Sequence, residues 1–207
     1  MGLDTAESLR HLSALRRWIL FGALLLLGAI YLSAFALFVS HSEDFFVARH
    51  NREAVEFAAQ HPVKMPATIR FQSGSPLNGL LGGGWHKPEP HGVWSSSTDS
   101  WIALTLQSGT ATAILRLNAS PFLSRRTPRA TITLTINDKD SQCWERNMAN
   151  ASEPLEIHLS HEALQTRHLK IHIHLQHLTS PFAVYAGPDH RPLGVLLSSM
   201  AISDEHM

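Results

Sequence analysis

The stretch Ala130–Ile136, ATITLTI, alternates threonines with the apolar residues Ile132, Leu134 and Ile136. Successive side chains of a β-strand point to opposite faces of a sheet, so a period of two predicts a strand with one buried and one solvated face. The same alternation recurs in LKIHIHLQ at residues 169–176. Both stretches therefore predict antiparallel strands that cover an apolar core from one side.

Five further segments show shorter versions of this pattern, and turn residues separate them. They are 68–71, 101–106, 113–117, 155–159 and 193–202. The chain has no βαβ alternation and no glycine motif that would cradle a phosphate, which argues against a nucleotide-binding α/β fold. We therefore predict a mainly β chain in which residues 66–207 form an antiparallel, jelly-roll-like β-sandwich.

Upstream of the strands, residues 18–39 form an apolar run without a charge, directly after Arg16 and Arg17. As an α-helix it extends about 33 Å, slightly more than the hydrocarbon core of a bilayer, which is about 30 Å thick. The run predicts one transmembrane helix that anchors the chain in a bilayer. A cleaved signal peptide is the alternative, because Ala34-Phe35-Ala36 offers a cleavage site, although signal peptides usually have a shorter apolar region.

The charges that flank this run predict its orientation. The tail, residues 1–17, contains three arginines, whereas the other flank opens with Glu43 and Asp44 before Arg49 and Arg52. Positively charged flanks tend to stay in the cytoplasm. We therefore expect a cytoplasmic tail, a single pass through the inner (cytoplasmic) membrane and a periplasmic, extracytoplasmic domain.

Residues 40–65 predict a helical stalk or linker between the anchor and the sandwich. Apolar and charged residues alternate there with a helical period between 43 and 60, and Pro62 and Pro66 then end helical propagation. The apolar residues could rest on the membrane, on a partner helix or on the domain that follows. We favour a simple continuation of the transmembrane helix.

Composition limits the possible partners. The chain has 17 basic and 17 acidic residues, and only Arg125, Arg126 and Arg129 cluster, in a stretch that we interpret as a solvated loop. A nucleic-acid partner is not expected, because such proteins normally present a basic face. Cys143 is the single cysteine, which excludes an internal disulfide and a cysteine-rich zinc site. We expect no cofactor.

The densest loop, residues 73–92, is rich in glycine and proline and ends in a segment that two tryptophans bracket, WHKPEPHGVWS at 85–95. Ordering such a loop costs entropy that some contact must offset, which favours a functional role. Three hypotheses remain for its side chains. His86, Glu89 and His91 are a possible metal triad, although the prolines beside Glu89 exclude a helical site. Glu89 with Asp99 is a possible acid–base pair.

The third hypothesis is a folded loop whose tryptophan rings pack on the sandwich edge and whose Glu89 anchors backbone N–H groups. Such a loop could also offer a stacking platform for a sugar ring.

The same loop resembles a known module. The sequence GGGWHKPEPHGVWS at 82–95, followed by SWIALTL, resembles the W-x-x-P-E-x-x-G-x-W-S signature of a bacterial β-sandwich module. That module lies beside, or is fused to, membrane glycosyltransferases and phosphoglycerol transferases of surface-polysaccharide synthesis. The C-terminal sequence agrees, because SPF at 180–182 and PDHRPLGVLLSSMAI at 188–202 resemble its closing pattern, S-P, then D-x-R-x-L-G and an apolar last strand. Family members commonly have an Asn-Gly hairpin where this chain has Asn137-Asp138.

The resemblance, which covers residues 79–203, implies a carbohydrate-related accessory role without a catalytic assignment. It implies five motif positions, which are Trp85, Glu89, Trp94, Arg191 and Gly194. First and last strands of antiparallel sandwiches often meet, so we expect a charge-assisted pair between Glu89 and Arg191 that closes the domain. The alternative is that either charge faces a ligand.

The strand at 169–176 also places His172 and His174 two positions apart on one face. With His158 or His168 from a neighbouring strand they would suit a transition metal. Alternating histidines are more often polar residues on the solvated face of a strand, and we assign no metal ligand here.

Together these features predict a membrane-anchored, non-catalytic accessory protein of bacterial cell-surface polysaccharide synthesis or export. It would bind glycan, or dock on a membrane glycosyltransferase or export complex. The alternatives are a glycan-acting enzyme that uses Glu89, and a purely structural subunit of a membrane complex.

Overall fold

The computed structural model describes residues 4–205, apart from the side chains of residues 4–17 and 40–43. The chain divides into two compact units, Met1–Phe45 and Phe46–Met207. One helix, α1 (Asp4–Gln60), contributes to both units. The first unit contains the apolar segment Trp18–Val39, which is long and apolar enough to cross a membrane and has no buried residues.

The second unit begins with residues 46–60 of α1, which are part of the predicted stalk, residues 40–65. The helix ends at Gln60, ahead of Pro62, as expected from the prolines. The helix thus continues past the apolar segment, and its last part also packs on the sandwich, because Ala54 and Ala58 are buried in the main core. The Asn51 side chain accepts a hydrogen bond from the Gly83 backbone N–H at 2.8 Å.

A glycine of the loop at residues 73–92 allows the C-terminal part of α1 to approach the loop backbone closely. A Cβ atom at Gly83 would lie 2.8 Å from a methyl carbon of Val47. The absence of a side chain at this position therefore lets the helix and the loop backbone come into contact. Part of the loop that we expected to be functional has this packing role.

Within the described residues 4–205, nine antiparallel strands form two sheets. The first sheet contains β1 (Ala67–Arg70), β2 (Val93–Trp94), β4 (Ala113–Pro121), β7 (Leu155–Leu159) and β9 (Val195–Asp204). The second contains β3 (Asp99–Thr105), β5 (Arg129–Ile136), β6 (Asp140–Asn147) and β8 (His168–Leu175). A short 3-10 helix, Pro76–Leu80, lies between β1 and β2.

The strand order is that of a jelly roll. It runs β1-β9-β4-β7 in the first sheet, with β2 also beside β9, and β3-β8-β5-β6 in the second. Each early strand thus pairs with a late one, and the alternating apolar residues of both sheets form one core that includes Leu115, Ile132, Leu134 and Ile173. The predicted mainly β, jelly-roll-like sandwich after an apolar N-terminal helix is confirmed.

Strands β2 and β6 were not among the predicted strands. Strand β6 has few buried positions because it lies at the edge of its sheet, so it shows no apolar alternation. The hairpin between β5 and β6 turns through Asn137 and Asp138, which both have positive φ, 50° and 57°. The loop has three residues, 137–139, because Ile136 pairs with Asp140, and the Lys139 N–H donates to the Ile136 carbonyl at 2.9 Å. Asn137 and Asp138 thus take the left-handed conformation that Asn-Gly commonly adopts in hairpin turns.

Candidate functional sites: a clasp, a basic cavity and a histidine cluster

Pairing of β2 with β9 brings together the two segments that carry the motif. Trp94 lies opposite Leu196 in the register. The Ser95 backbone N–H donates to the Val195 carbonyl at 2.8 Å, the Gly194 N–H donates to the Ser95 carbonyl at 3.1 Å, and the Val195 N–H donates to Ser95 Oγ at 2.8 Å. We call the joined segments 85–95 and 189–195 the clasp.

An ion-pair network holds the outer part of the clasp. Arg191 Nη1 lies 2.7 Å from Glu89 Oε1, so the expected pair is present. The same guanidinium donates from Nη2 to Asp189 Oδ2 at 2.8 Å and from Nε to the same carboxylate. Hydrogen bonds from the Arg191 side chain and backbone lower the pKa of Asp189 to about 2. Hydrogen bonds to Asp189 and Glu89 in turn raise the pKa of Arg191 above its ordinary value. Both carboxylates are thus engaged within the domain.

The two tryptophans of the motif also have internal partners. Trp85 packs against the core, and its Nε1–H donates to the Trp101 carbonyl at 2.8 Å. Trp94 meets Phe122 edge to face, with ring centroids 6.1 Å apart. Gly194 sits against Ser95 and Leu178, so a Cβ there would overlap both side chains. The motif therefore builds the closure between first and last strands.

The structure assembles neither the metal triad nor the acid–base pair that we hypothesised for the loop. His86 Nε2 lies 2.8 Å from the Pro192 carbonyl oxygen and Glu89 binds Arg191. Among the described residues, no group of three metal-ligating side chains includes His86, Glu89 or His91, so the triad hypothesis is wrong. Glu89 and Asp99 have separate partners, because Asp99 contacts Thr98 and two histidines on the second sheet.

A cavity of about 380 Å³ opens beside the clasp. It lies where β4 and β8 end and where β5 and β9 begin, and it is lined by Phe122, Arg126, Arg129, His177 and Gly194, among others. Arg126 and Arg129 belong to the cluster that we interpreted as a solvated loop. Both side chains are solvent-exposed, as that interpretation predicts, and Arg129 is also the first residue of β5.

The cavity is electropositive. No carboxylate lines it, and neither Arg126 nor Arg129 forms an ion pair with a carboxylate of residues 18–39 or 44–205, where side chains are described. The Arg126 guanidinium instead lies 4.4 Å from the ring centroid of Tyr185, an exposed aromatic side chain. The two arginines were visible in the sequence, but the cavity was not, because four separate segments enclose it.

A third feature lies on the outer face of the second sheet. Asp99 and His174 are opposite one another in the β3–β8 register, and His172 faces Trp101. His172 Nε2 lies 2.8 Å, and His174 Nδ1 2.9 Å, from the same atom, Asp99 Oδ1. Burial alone would raise the pKa of Asp99, but hydrogen bonds from His174, Thr98 and His172 outweigh it, so the pKa is lowered.

The predicted neighbours of these histidines were wrong. His168 Nδ1 lies 2.9 Å from Thr105 Oγ1, and His158 contacts Glu205. Asp99 takes the place that we gave to a third histidine, because β3 is the strand that pairs with this part of β8.

No protein-family model and no curated protein sequence matches the chain. Among solved structures, it is similar to a ruminal GH26 endo-β-1,4-mannanase, with 10% identity over 71% of this chain and 27% of that chain and a TM-score of 0.38. It is also similar to a Podospora anserina GH26-CBM35 β-(1,4)-mannanase, with 10% identity, coverage of 69% and 28%, and a TM-score of 0.38. A third similar structure is TmCBM61 in complex with β-1,4-galactotriose, with 10% identity over 52% of this chain and 62% of that chain and a TM-score of 0.30. The chain thus spans less than a third of either mannanase.

Proposed function

We propose that this chain is a membrane-anchored, non-catalytic glycan-binding protein whose cavity beside the clasp takes up an acidic saccharide. The observation that carries the proposal is the pair Arg126 and Arg129, which line the cavity without a carboxylate beside them. The resemblance of the clasp motif to the glycosyltransferase-associated module supports an accessory role in surface-polysaccharide synthesis or export.

The cavity suits a sugar that carries a carboxylate or a phosphate. Its volume of about 380 Å³ falls within the range of small-molecule sites, roughly 300–1,000 Å³. A guanidinium binds such anions with two parallel hydrogen bonds, and Phe122 and Tyr185 place aromatic surface near it. Thr131 and Gln176 add polar groups to the cavity wall that suit sugar hydroxyls.

A non-catalytic role agrees with the clasp. Glycoside hydrolysis commonly uses two carboxyl groups, one as an acid and the other as a base or nucleophile. Glu89, the acidic residue of the motif, is bound by Arg191, and the nearby Asp189 binds the same guanidinium. These groups therefore support a domain-closing role for the motif and leave saccharide recognition to the cavity.

The anchor gives this binding a location. The segment Trp18–Val39 is able to cross a membrane, and the arginines that precede it favour a cytoplasmic N terminus and a periplasmic sandwich. Tethering raises the effective concentration of the sandwich near a polymer that emerges at the membrane. A membrane glycosyltransferase or export complex is the partner that this arrangement suits.

The test compares acidic with neutral saccharides on the full-length protein in detergent micelles. Trigalacturonate is the acidic probe, and neutral α-1,4-galactotriose, which has the same linkage and lacks the carboxylates, is its matched control. We expect binding of the acidic probe alone, weakened about 10- to 100-fold by either Arg126→Ala or Arg129→Ala, because a charge-assisted hydrogen bond contributes about 1.5–3 kcal/mol.

Arg125→Ala is the matched variant, because Arg125 is the neighbouring arginine and does not line the cavity. It should bind as the wild type does. Equal binding of both probes, or unchanged affinity in the Arg126 and Arg129 variants, would contradict the proposal.

A further inference from the structure

The cluster of Asp99, His172 and His174 lies outside the cavity and the clasp. Its three candidate ligand atoms, a carboxylate oxygen and two imidazole nitrogens, lie within 4.8 Å of one another. In the part of the chain whose side chains are described, this is the one group of three such side chains placed to share an ion. From this convergence we propose that the cluster is a binding site for a divalent transition-metal ion, with zinc as the probe.

The sheet register creates the convergence. Asp99 and His174 are direct cross-strand partners, and His172 lies two residues away on the same face. Directly opposed residues have Cβ atoms about 4.5–5.5 Å apart, and diagonal neighbours are within reach of long side chains. Three ligands therefore meet on a rigid sheet and do not depend on a loop for their positions.

The distances suit zinc after a small adjustment. Zinc binds histidine nitrogen and carboxylate oxygen at roughly 2.0–2.2 Å in tetrahedral geometry, which places neighbouring ligand atoms about 3.3 Å apart. Asp99 Oδ1 lies 2.8 Å from His172 Nε2 and 2.9 Å from His174 Nδ1. Opening each contact by about 0.5 Å makes room for the ion, whose bonds replace the two hydrogen bonds.

The neighbours of the cluster orient its ligands. Thr98 Oγ1 donates to Asp99 Oδ2 at 2.9 Å, which directs the other carboxylate oxygen toward the histidines. The Trp101 ring stacks on His172, with centroids 3.9 Å apart and an interplanar angle of 10°. Lys170 Nζ lies 4.2 Å from the centroid of the same ring and forms a cation–π contact with the indole.

The site is open on its outer side. The side chains of Asp99 and His174 are 45% and 49% exposed, and that of His172 is 22% exposed. An ion can therefore enter from solvent, and three protein ligands leave a fourth tetrahedral position for water or an exogenous ligand. Two imidazoles and one carboxylate favour zinc, copper, nickel or iron over calcium and magnesium, which prefer all-oxygen sites.

The experiment measures zinc binding to the full-length protein in detergent after chelator treatment, by competition with a chromogenic chelator. We expect one tightly bound zinc per chain and no displacement by excess calcium. Asp99→Asn, His172→Gln and His174→Gln should each weaken it by more than about 100-fold, because removal of a second-shell partner alone costs about 10- to 100-fold. Thr98→Val should weaken it about tenfold for the same reason.

His168→Gln is the matched control. His168 lies on the same strand as His172 and His174, but it binds Thr105 and stands outside the cluster, so this variant should bind zinc as the wild type does. Cobalt substitution adds a second readout, because its visible absorption should report a low-coordinate nitrogen and oxygen site in the wild type only. Far-ultraviolet circular dichroism checks that each variant is folded.

Three results would overturn the proposal. The first is a folded wild-type protein that takes up no zinc at 100-fold excess. The second is wild-type affinity in the folded Asp99→Asn and His174→Gln variants. The third is equal weakening by His168→Gln, which would assign the binding to scattered surface histidines.

Discussion

Gly194→Ala tests the clasp at its tightest point. A Cβ atom at this position would overlap Ser95 Oγ and lie 2.7 Å from a methyl carbon of Leu178. Ser95 is fully buried, and its Oγ accepts the Val195 N–H, so the hydroxyl cannot move away without losing a buried hydrogen bond. Leu178 is partly exposed at the cavity and has more freedom to shift.

The expected loss of stability depends on Ser95, because its hydroxyl is fixed whereas the Leu178 side chain can shift. Overpacking a well-packed site costs about 1–3 kcal/mol, and the fixed position of Ser95 places this substitution within that range. One kcal/mol shifts the melting temperature by roughly 2–4 °C in a domain of 150–250 residues. Gly194→Ala should therefore lower the melting temperature of the sandwich by about 3–10 °C.

The assay is thermal unfolding of the full-length protein in detergent micelles, followed by tryptophan fluorescence. Gly109→Ala is the matched control, because a Cβ there meets no atom within 4 Å, and it should leave the melting temperature unchanged or slightly higher. Adding Ser95→Ala to Gly194→Ala should cost less than the sum of the two single changes, since the overlap with the hydroxyl disappears. An unchanged melting temperature in Gly194→Ala, or strict additivity in the double variant, would refute the reasoning.

Two further predictions concern the ion pairs and the membrane. Arg191→Met should lower the melting temperature by about 1–3 °C at pH 7, because the pairs are partly exposed. The folded-state pKa of Asp189 is depressed to about 2. The stabilisation by its ion pair is therefore present above pH 4 and is lost as the pH falls toward 2. The difference in melting temperature between Arg191→Met and the wild type should shrink over that interval, and also in 1 M salt. A difference that persists at pH 2 would contradict this. Protease added to intact spheroplasts should digest the sandwich, and a protected sandwich would argue against the proposed location. When the protein is purified in mild detergent, a membrane glycosyltransferase or export component should accompany it. A protein that purifies alone would argue against the proposed partner.

The fold was readable from sequence wherever one strand face is buried. Strands β4, β5, β7 and β8 alternate apolar and polar residues because one face meets the core. Strand β6 gave no such signal because it pairs with β5 alone and has few buried positions. Strand β2 was missed because it has two residues.

The sites were readable only in part, because they depend on register. The Glu89–Arg191 pair was expected from the general tendency of first and last strands to meet, and the structure contains it. The partner of His172 and His174 was wrong, since a single sequence does not show which strand lies beside β8. Asp99 reaches them across about seventy residues of chain, through a pairing that only the folded sheet defines.

The division of charge between the clasp and the cavity determines where recognition should be sought. In the clasp, Arg191 is bound to two carboxylates, so its charge is compensated inside the domain. In the cavity, Arg126 and Arg129 have no such partner among the described side chains, and an anionic ligand gains most where cations are not already paired. Substitution of Arg191, which does not line the cavity, should therefore change the melting temperature with little effect on saccharide affinity of the folded protein, whereas substitutions of the cavity arginines should do the reverse. In the proposed function, the motif that stands out in the sequence holds the domain closed, and the less conspicuous basic stretch would supply the specificity for the saccharide.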